Sequence, residues 1–218
     1  MSGAMLNSYA EHNPSPRFHE LIAAYRQLHE QGSPEQGIAP ASMFPGQSLG
    51  EHLVKLLEVR EQHGVVTMLD YGCGKAMLYQ PVNDLRLGNR KARCVQELLG
   101  VDVTLFDPGF RPYSEKPGGR FDLVVCTDVL EHCAEADLPW IIDELFGYAR
   151  KYVFANVACY PARKVLPNGE NAHCTVRDTP WWADLFRGIA SNHPGVEYQV
   201  VCTRLTASGR EHDYLSRT

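Results

Sequence analysis

The sequence has no Cys-x-x-Cys pair, and its seven cysteines are odd in number, several of them inside apolar runs. A disulfide framework and a zinc site therefore lack the spacing they need. Reduced cysteines acting as small hydrophobes fit instead, which points to a reducing compartment. No apolar run approaches the ~20 residues of a membrane-spanning helix. The opening stretch MSGAMLNSYAEHNPSPRF lacks the basic segment and apolar core of a secretory leader. Internal repeats and low-complexity tracts are missing as well. Positive charge is not in excess: 21 Lys and Arg against 26 Asp and Glu give −5, which argues against a broad nucleic-acid footprint. The one basic cluster, Arg86, Arg90, Lys91 and Arg93, reads as a solvated helix face. These absences predict a cytoplasmic protein with neither DNA nor a membrane as partner.

What is present is a globular composition, with 44% hydrophobic and 22% charged residues over 218 positions. A chain of this length buries roughly 70% of its unfolded surface and needs no covalent staple. Residues 1–14 are expected to be mobile. From Ser15, Pro16 at a first turn and Phe18, Leu21, Ile22, Tyr25 and Leu28 at helical spacing predict a helix ending near Gly32. The loop GSPEQGIAPASMFPGQS follows. Ser48 with Glu51 three residues on then reads as a capping box opening a second helix through Leu53, Leu56, Leu57 and Val59. These two helices are expected to form an N-terminal cap over residues 1–64, followed by a single domain over 65–218.

Five short apolar runs within that domain read as strands: VVTMLD (65–70), VDVTLFD (101–107), FDLVVCTDV (121–129), KYVFANVA (151–158) and VEYQVVCTRLT (196–206). Helical patterns lie between them, in RKARCVQELLG, DLPWIIDELFGYAR and TPWWADLFRGIA. Strands alternating with helices predict an α/β protein, Rossmann-like and doubly wound, with a mostly parallel sheet and helices on both faces. Ligands in such sheets bind at the carboxyl ends of the strands.

The first strand ends in a glycine turn, LDYGCGKA (69–76). Gly72 and Gly74 allow a tight turn that leaves no side chain between backbone and ligand, and free N–H groups at a following helix start would favour an anionic group. Asp107 ends the second strand, where folds of this type place a carboxylate for ribose hydroxyls, although Asp-Pro-Gly is also good turn chemistry in itself.

LDYGCGKA, LFDP and FDLVVCTDVLEHC together resemble the cofactor motifs of class I S-adenosylmethionine-dependent methyltransferases. DVLEH (128–132) is similar to the small-molecule branch of that family. The resemblance covers residues 65–160 in the right order. It departs in two places: Ala76 stands where the family has its last motif glycine, and only residues 108–120 separate the second and third strands. The family fits a helix and a further strand into that interval, so the sheet edge is expected to be truncated there. A nicotinamide fingerprint would put a glycine at Met77.

The resemblance implies S-adenosylmethionine as cofactor, bound by Asp70, Tyr71, Gly72, Cys73, Gly74, Lys75, Asp107, Pro108, Thr127, Asp128 and Val129. In that reading the glycine turn holds the methionine portion, Asp70 organises the turn and the amino group, and Asp107 takes the ribose. Asp128 and Val129 border the reacting centre.

Methyl transfer from sulfonium needs alignment and desolvation above all. A base is needed only if the acceptor must lose a proton. His132, just past the strand tip, is the first catalytic candidate because imidazole titrates near neutrality. His173 is the second, in a polar loop (159–178) expected to overhang the acceptor with Tyr160, Arg163, Asn171 and Arg177, followed by Trp181 and Trp182. Those two tryptophans fit core packing equally. The strand tip CTDVLEH lacks the Pro-Pro-aromatic signature of DNA-base methylation, so a small-molecule or glycan-type acceptor is expected, with oxygen favoured over nitrogen. A non-catalytic module binding the cofactor or its demethylated product, and a nicotinamide-dependent oxidoreductase, are the alternatives.

Overall fold

A computed structural model describes residues 9–217. The helices are α1 (Pro16–Gln31), α2 (Leu53–His63), α3 (Val95–Leu99), α4 (Leu138–Tyr148) and α5 (Thr179–Ala190). The strands are β1 (Thr67–Tyr71), β2 (Leu85–Leu87), β3 (Arg90–Ala92), β4 (Asp102–Phe106), β5 (Phe121–Thr127), β6 (Ala149–Ala158), β7 (Glu197–Thr206) and β8 (Gly209–Ser216). Six strands form one sheet in the order β4-β1-β5-β6-β7-β8, parallel except for β8, which runs antiparallel to β7. The protein is an α/β, Rossmann-like fold with helices flanking a mostly parallel sheet. β4 lies at the edge of that sheet, as the short 108–120 interval implied. No helix among the described residues is long and apolar enough to cross a membrane.

The central strands are apolar on both faces because both faces are covered. Every residue of β5 is buried. Leu69, Val124, Cys126 and Val153 pack with α4 and α5 on one face. Met68, Leu123, Val125 and Phe154 pack with Leu56 and Val59 of α2 on the other. α1 begins as the sequence predicts: Ser15 caps it by accepting from the Phe18 N–H at 3.1 Å. Its buried residues Leu21 and Leu28 pack in a third cluster with Met43, Leu166 and Ala172, over the carboxyl end of the sheet.

Several expectations need correction. Of the stretch expected to be mobile, residues 1–8 lie outside the described residues, and Ala10 and Asn13 exchange two backbone hydrogen bonds. Ser48 does not cap α2: its hydroxyl lies 3.2 Å from Thr127 Oγ1, and Ser48–His52 form a 3₁₀ turn ahead of the helix. Segment 90–100 is not one helix. Arg90–Ala92 pair with Leu85–Leu87 in a small hairpin, and only Val95–Leu99 are helical. The basic cluster therefore sits on and beside that hairpin, not on a helix face. β8 was not anticipated at all.

Candidate functional site

The turn after β1 is built from three residues with positive φ: Gly72 (+85°), Gly74 (+56°) and Ala76 (+52°). At Gly72 a side chain would run into Val129 just beyond β5, so this glycine is what lets the two strand ends close up. At Gly74 a Cβ would stand 2.5 Å from the Phe44 carbonyl oxygen. The amides of this turn are not free. Gly72 N–H and Cys73 N–H donate to Phe106 O, Gly74 N–H to Asp107 Oδ2, Ala76 N–H to Cys73 O, Lys75 N–H to Phe44 O and Met77 N–H to Pro45 O. A helix start presenting open N–H groups is absent here; a single 3₁₀ turn, Met77–Tyr79, follows instead. Ala76 in the left-handed region forfeits about 1–2 kcal/mol but keeps a fully buried methyl worth about 0.8 kcal/mol. Ala76→Gly is therefore expected to stabilise the chain by about 0.5 kcal/mol, read as a higher urea midpoint at unchanged slope.

Asp107 fastens the turn from the β4 side. Its Oδ2 accepts from Gly74 N–H at 2.9 Å and its Oδ1 from Gly109 N–H at 2.8 Å. Burial raises its pKa while those N–H groups oppose the rise. Asp70 lies buried one strand away. Desolvation lifts it to about 7, against a 2.6 Å hydrogen bond from the Tyr79 hydroxyl and with help from the charge of Asp107. Pro108 offers its carbonyl to Arg26 of α1 at 3.3 Å. Tyr71 points away from this face, into the core beside Phe106, and donates to Glu144 at 2.7 Å. Cys73 is likewise buried in the α2-side core.

Beyond β5, Asp128 is an exposed residue with φ +54°. Asn156 of β6 holds it twice: Nδ2 donates to Asp128 Oδ1 at 2.9 Å, and Oδ1 accepts the Asp128 N–H at 3.2 Å. Thr127 is buried beneath, joined to Ser48. His52 stands at the same end, its ring 5.1 Å from Phe154, with its pKa lowered by desolvation.

The two imidazoles expected to be catalytic do meet, with ring centroids 4.8 Å apart. His132 Nδ1 lies 2.9 Å from the Ala172 carbonyl, which also accepts from the Tyr25 hydroxyl at 2.8 Å. The Tyr25 hydroxyl also lies 2.9 Å from Nδ1, so this nitrogen faces one group that can donate to it and one that can only accept from it. Desolvation, then the charge of His173, drives His132 down to about 3. It is neutral at physiological pH and a weak base, not one poised near 7. His173 Nδ1 is likewise held by the Tyr160 carbonyl at 2.6 Å, and burial lowers its pKa too.

An aromatic row drawn from α1, the loop after it and the segment after β4 lies against these groups, and no sequence motif marks it. His29 of α1 sits between Phe44 (5.1 Å) and Phe110 (4.7 Å), and Tyr25 contacts both Phe44 and His132. The Lys75 ammonium stands 4.6 Å over Phe110 and 3.2 Å from His29 Nδ1. Burial, then the charge of Lys75, brings His29 down to about 4. Lys164 from the 159–178 loop stands 4.6 Å over Phe44. Asn171 ties Ala162 and His173 within that loop, and Arg177 pairs with Glu135 outside it at 2.6 Å. Trp182 is fully buried with Phe186 in the core and does not reach this face, and Trp181 packs edge-on against it.

No protein-family model matches the chain, and no curated protein does. Among solved structures, an O-methyltransferase family protein from Burkholderia thailandensis is similar over 93% of this chain and 68% of its own, with a TM-score of 0.47 and 14% identity.

Proposed function

We propose that the protein is an S-adenosylmethionine-dependent methyltransferase acting on a small molecule or sugar-containing metabolite. The observation that carries this reading is the meeting of Gly72 with Val129 and of Gly74 with Asp107, at the carboxyl ends of three adjacent strands, β4, β1 and β5. These are the segments in which the sequence resembles the family.

The residues present suit the cofactor. Asp107 uses one lone pair per oxygen on backbone N–H groups and has acceptor capacity left for ribose hydroxyls. Lys75, half-buried and paired only with His29, suits the cofactor's carboxylate. Asp128, held by Asn156, places a negative charge where a sulfonium is favoured. Because the turn amides are spent inside the protein, side chains carry the recognition that the glycine loop was expected to supply.

S-adenosylmethionine, when bound, supplies a methyl on positively charged sulfur, already activated for in-line displacement. The chain's part is to align the acceptor and exclude water. His132 and His173, both neutral, hold the acceptor side in place. A proton leaving an acceptor hydroxyl would find weak bases in these two imidazoles.

Calorimetric titration with S-adenosylmethionine, S-adenosylhomocysteine and NAD tests the reading. Micromolar binding of the first two, weakened about tenfold or more by Asp107→Ala, is the expected result; binding of NAD alone overturns it. Binding without turnover across oxygen and nitrogen acceptors would favour the non-catalytic module.

A further inference from the structure

The chain has six lysines. Four pair with a carboxylate within 4 Å: Lys55 with Glu58, Lys91 with Asp84, Lys116 with Glu144 and Lys151 with Asp122. The other two, Lys75 and Lys164, have no such partner among the described residues, and both are half-buried at the candidate site. Each rests on an aromatic face instead. A cation–π contact is worth about 0.5–2 kcal/mol, which does not replace the hydration or counter-charge of a half-buried ammonium.

Lys75 faces the proposed cofactor and is accounted for by it. Lys164 is not. Its position is fixed by construction: Val165 and Asn171 form a bridge, Ala172 N–H donates to Lys164 O at 3.0 Å, and Leu166 is buried between α1 and residue 172. The charge of Lys164 reaches His29, His132 and His173, pressing all three toward the neutral form. Asp128 is the acid whose field reaches Lys164, but it lies beyond ion-pair distance and its Oδ1 is occupied by Asn156.

We infer that Lys164 is the anchor for an oxyanion of the methyl acceptor, so that the acceptor is a carboxylate- or phosphate-bearing metabolite; this rests on the methyltransferase reading. The local geometry supports it: Lys164 is a half-buried ammonium with no carboxylate at ion-pair distance among the described residues, and an oxyanion seated beside it supplies the counter-charge that the Phe44 ring does not.

The test follows the histidine Cε1–H resonances of the full chain during separate titrations with inorganic phosphate and with acetate, with and without S-adenosylhomocysteine. Lys164→Met and Lys164→Arg are compared with the wild type, and S-adenosylhomocysteine affinity is measured by calorimetry for all three. The expected result is millimolar binding of one anion that shifts His132 and His173. Lys164→Met should weaken it about tenfold or more and Lys164→Arg should retain it, with S-adenosylhomocysteine bound alike by all three. Which anion responds tells carboxylate from phosphate. Equal anion binding by Lys164→Met, or none by the wild type, overturns the inference and leaves the cofactor reading standing. Lys164-dependent anion binding in a chain that ignores S-adenosylhomocysteine overturns the acceptor assignment, because it removes the methyltransferase reading on which it rests.

Discussion

Gly46→Ala is expected to destabilise the full chain by about 3 kcal/mol or more, while Gly37→Ala costs no more than about 1–2 kcal/mol. The two glycines have nearly the same φ, +71° and +67°, so the cost that a positive φ lays on a side chain falls on both. They differ in what surrounds them. A Cβ at Gly37 meets nothing within 4 Å, whereas one at Gly46 overlaps the Cys73 carbonyl and crowds the Ala76 N–H. Both obstacles are backbone, so neither can rotate away. Segment 44–46 is also bonded to the turn through Phe44 O and Pro45 O, so any displacement that relieves the overlap breaks those bonds too. Urea midpoints of the two variants, read at equal slope, isolate the overlap from the φ penalty. Equal losses would mean that 44–46 does not clasp the turn as described.

That clasp shows where sequence reading stops. The apolar runs of β1, β5 and β6 and the cap of α1 were legible because burial on both sheet faces and a Ser-Pro start are local signals. α5 fell on its residues, 179–190, for the same reason. β8 was not legible: Arg210, Glu211 and His212 are exposed at the sheet edge, where pairing with β7 needs no apolar alternation. Residues 90–92 look helical by composition but are held extended by pairing with 85–87, a tertiary choice. In the site, the meeting of Gly74 with Asp107 could be read from motif order. The row of Phe44, His29 and Phe110 could not, because each comes from a different segment and none carries a motif. The neutrality of His132 was equally hidden, since it follows from burial under Tyr25 and residue 172 and not from the residue type.

Asp70→Asn is expected to make the protein more stable at neutral pH and poorer at binding S-adenosylmethionine. Asp70 is 4% exposed and desolvation lifts its folded pKa to about 7 from an ordinary 3.8. The sign follows from proton linkage. Between those two values the folded state holds a proton that the unfolded state has lost, so stability is full below pH ~4 and falls until pH ~7. The whole interval corresponds to at most roughly 4 kcal/mol at about 1.36 kcal/mol per unit. Asparagine keeps an oxygen to accept from Tyr79 and has no proton to lose. Its unfolding free energy should therefore lack this fall from pH 4 to 7, and above pH 7 the variant should exceed the wild type. Urea titrations of both proteins at a series of pH values supply the comparison; parallel curves would place Asp70 in an ordinary carboxylate environment and remove the argument. On the proposed cofactor reading, a carboxylate poised to ionise beside the glycine turn would gain from the approach of a cationic ligand in a way that the amide cannot. Weaker S-adenosylmethionine binding by the more stable variant is the expected signature of that exchange.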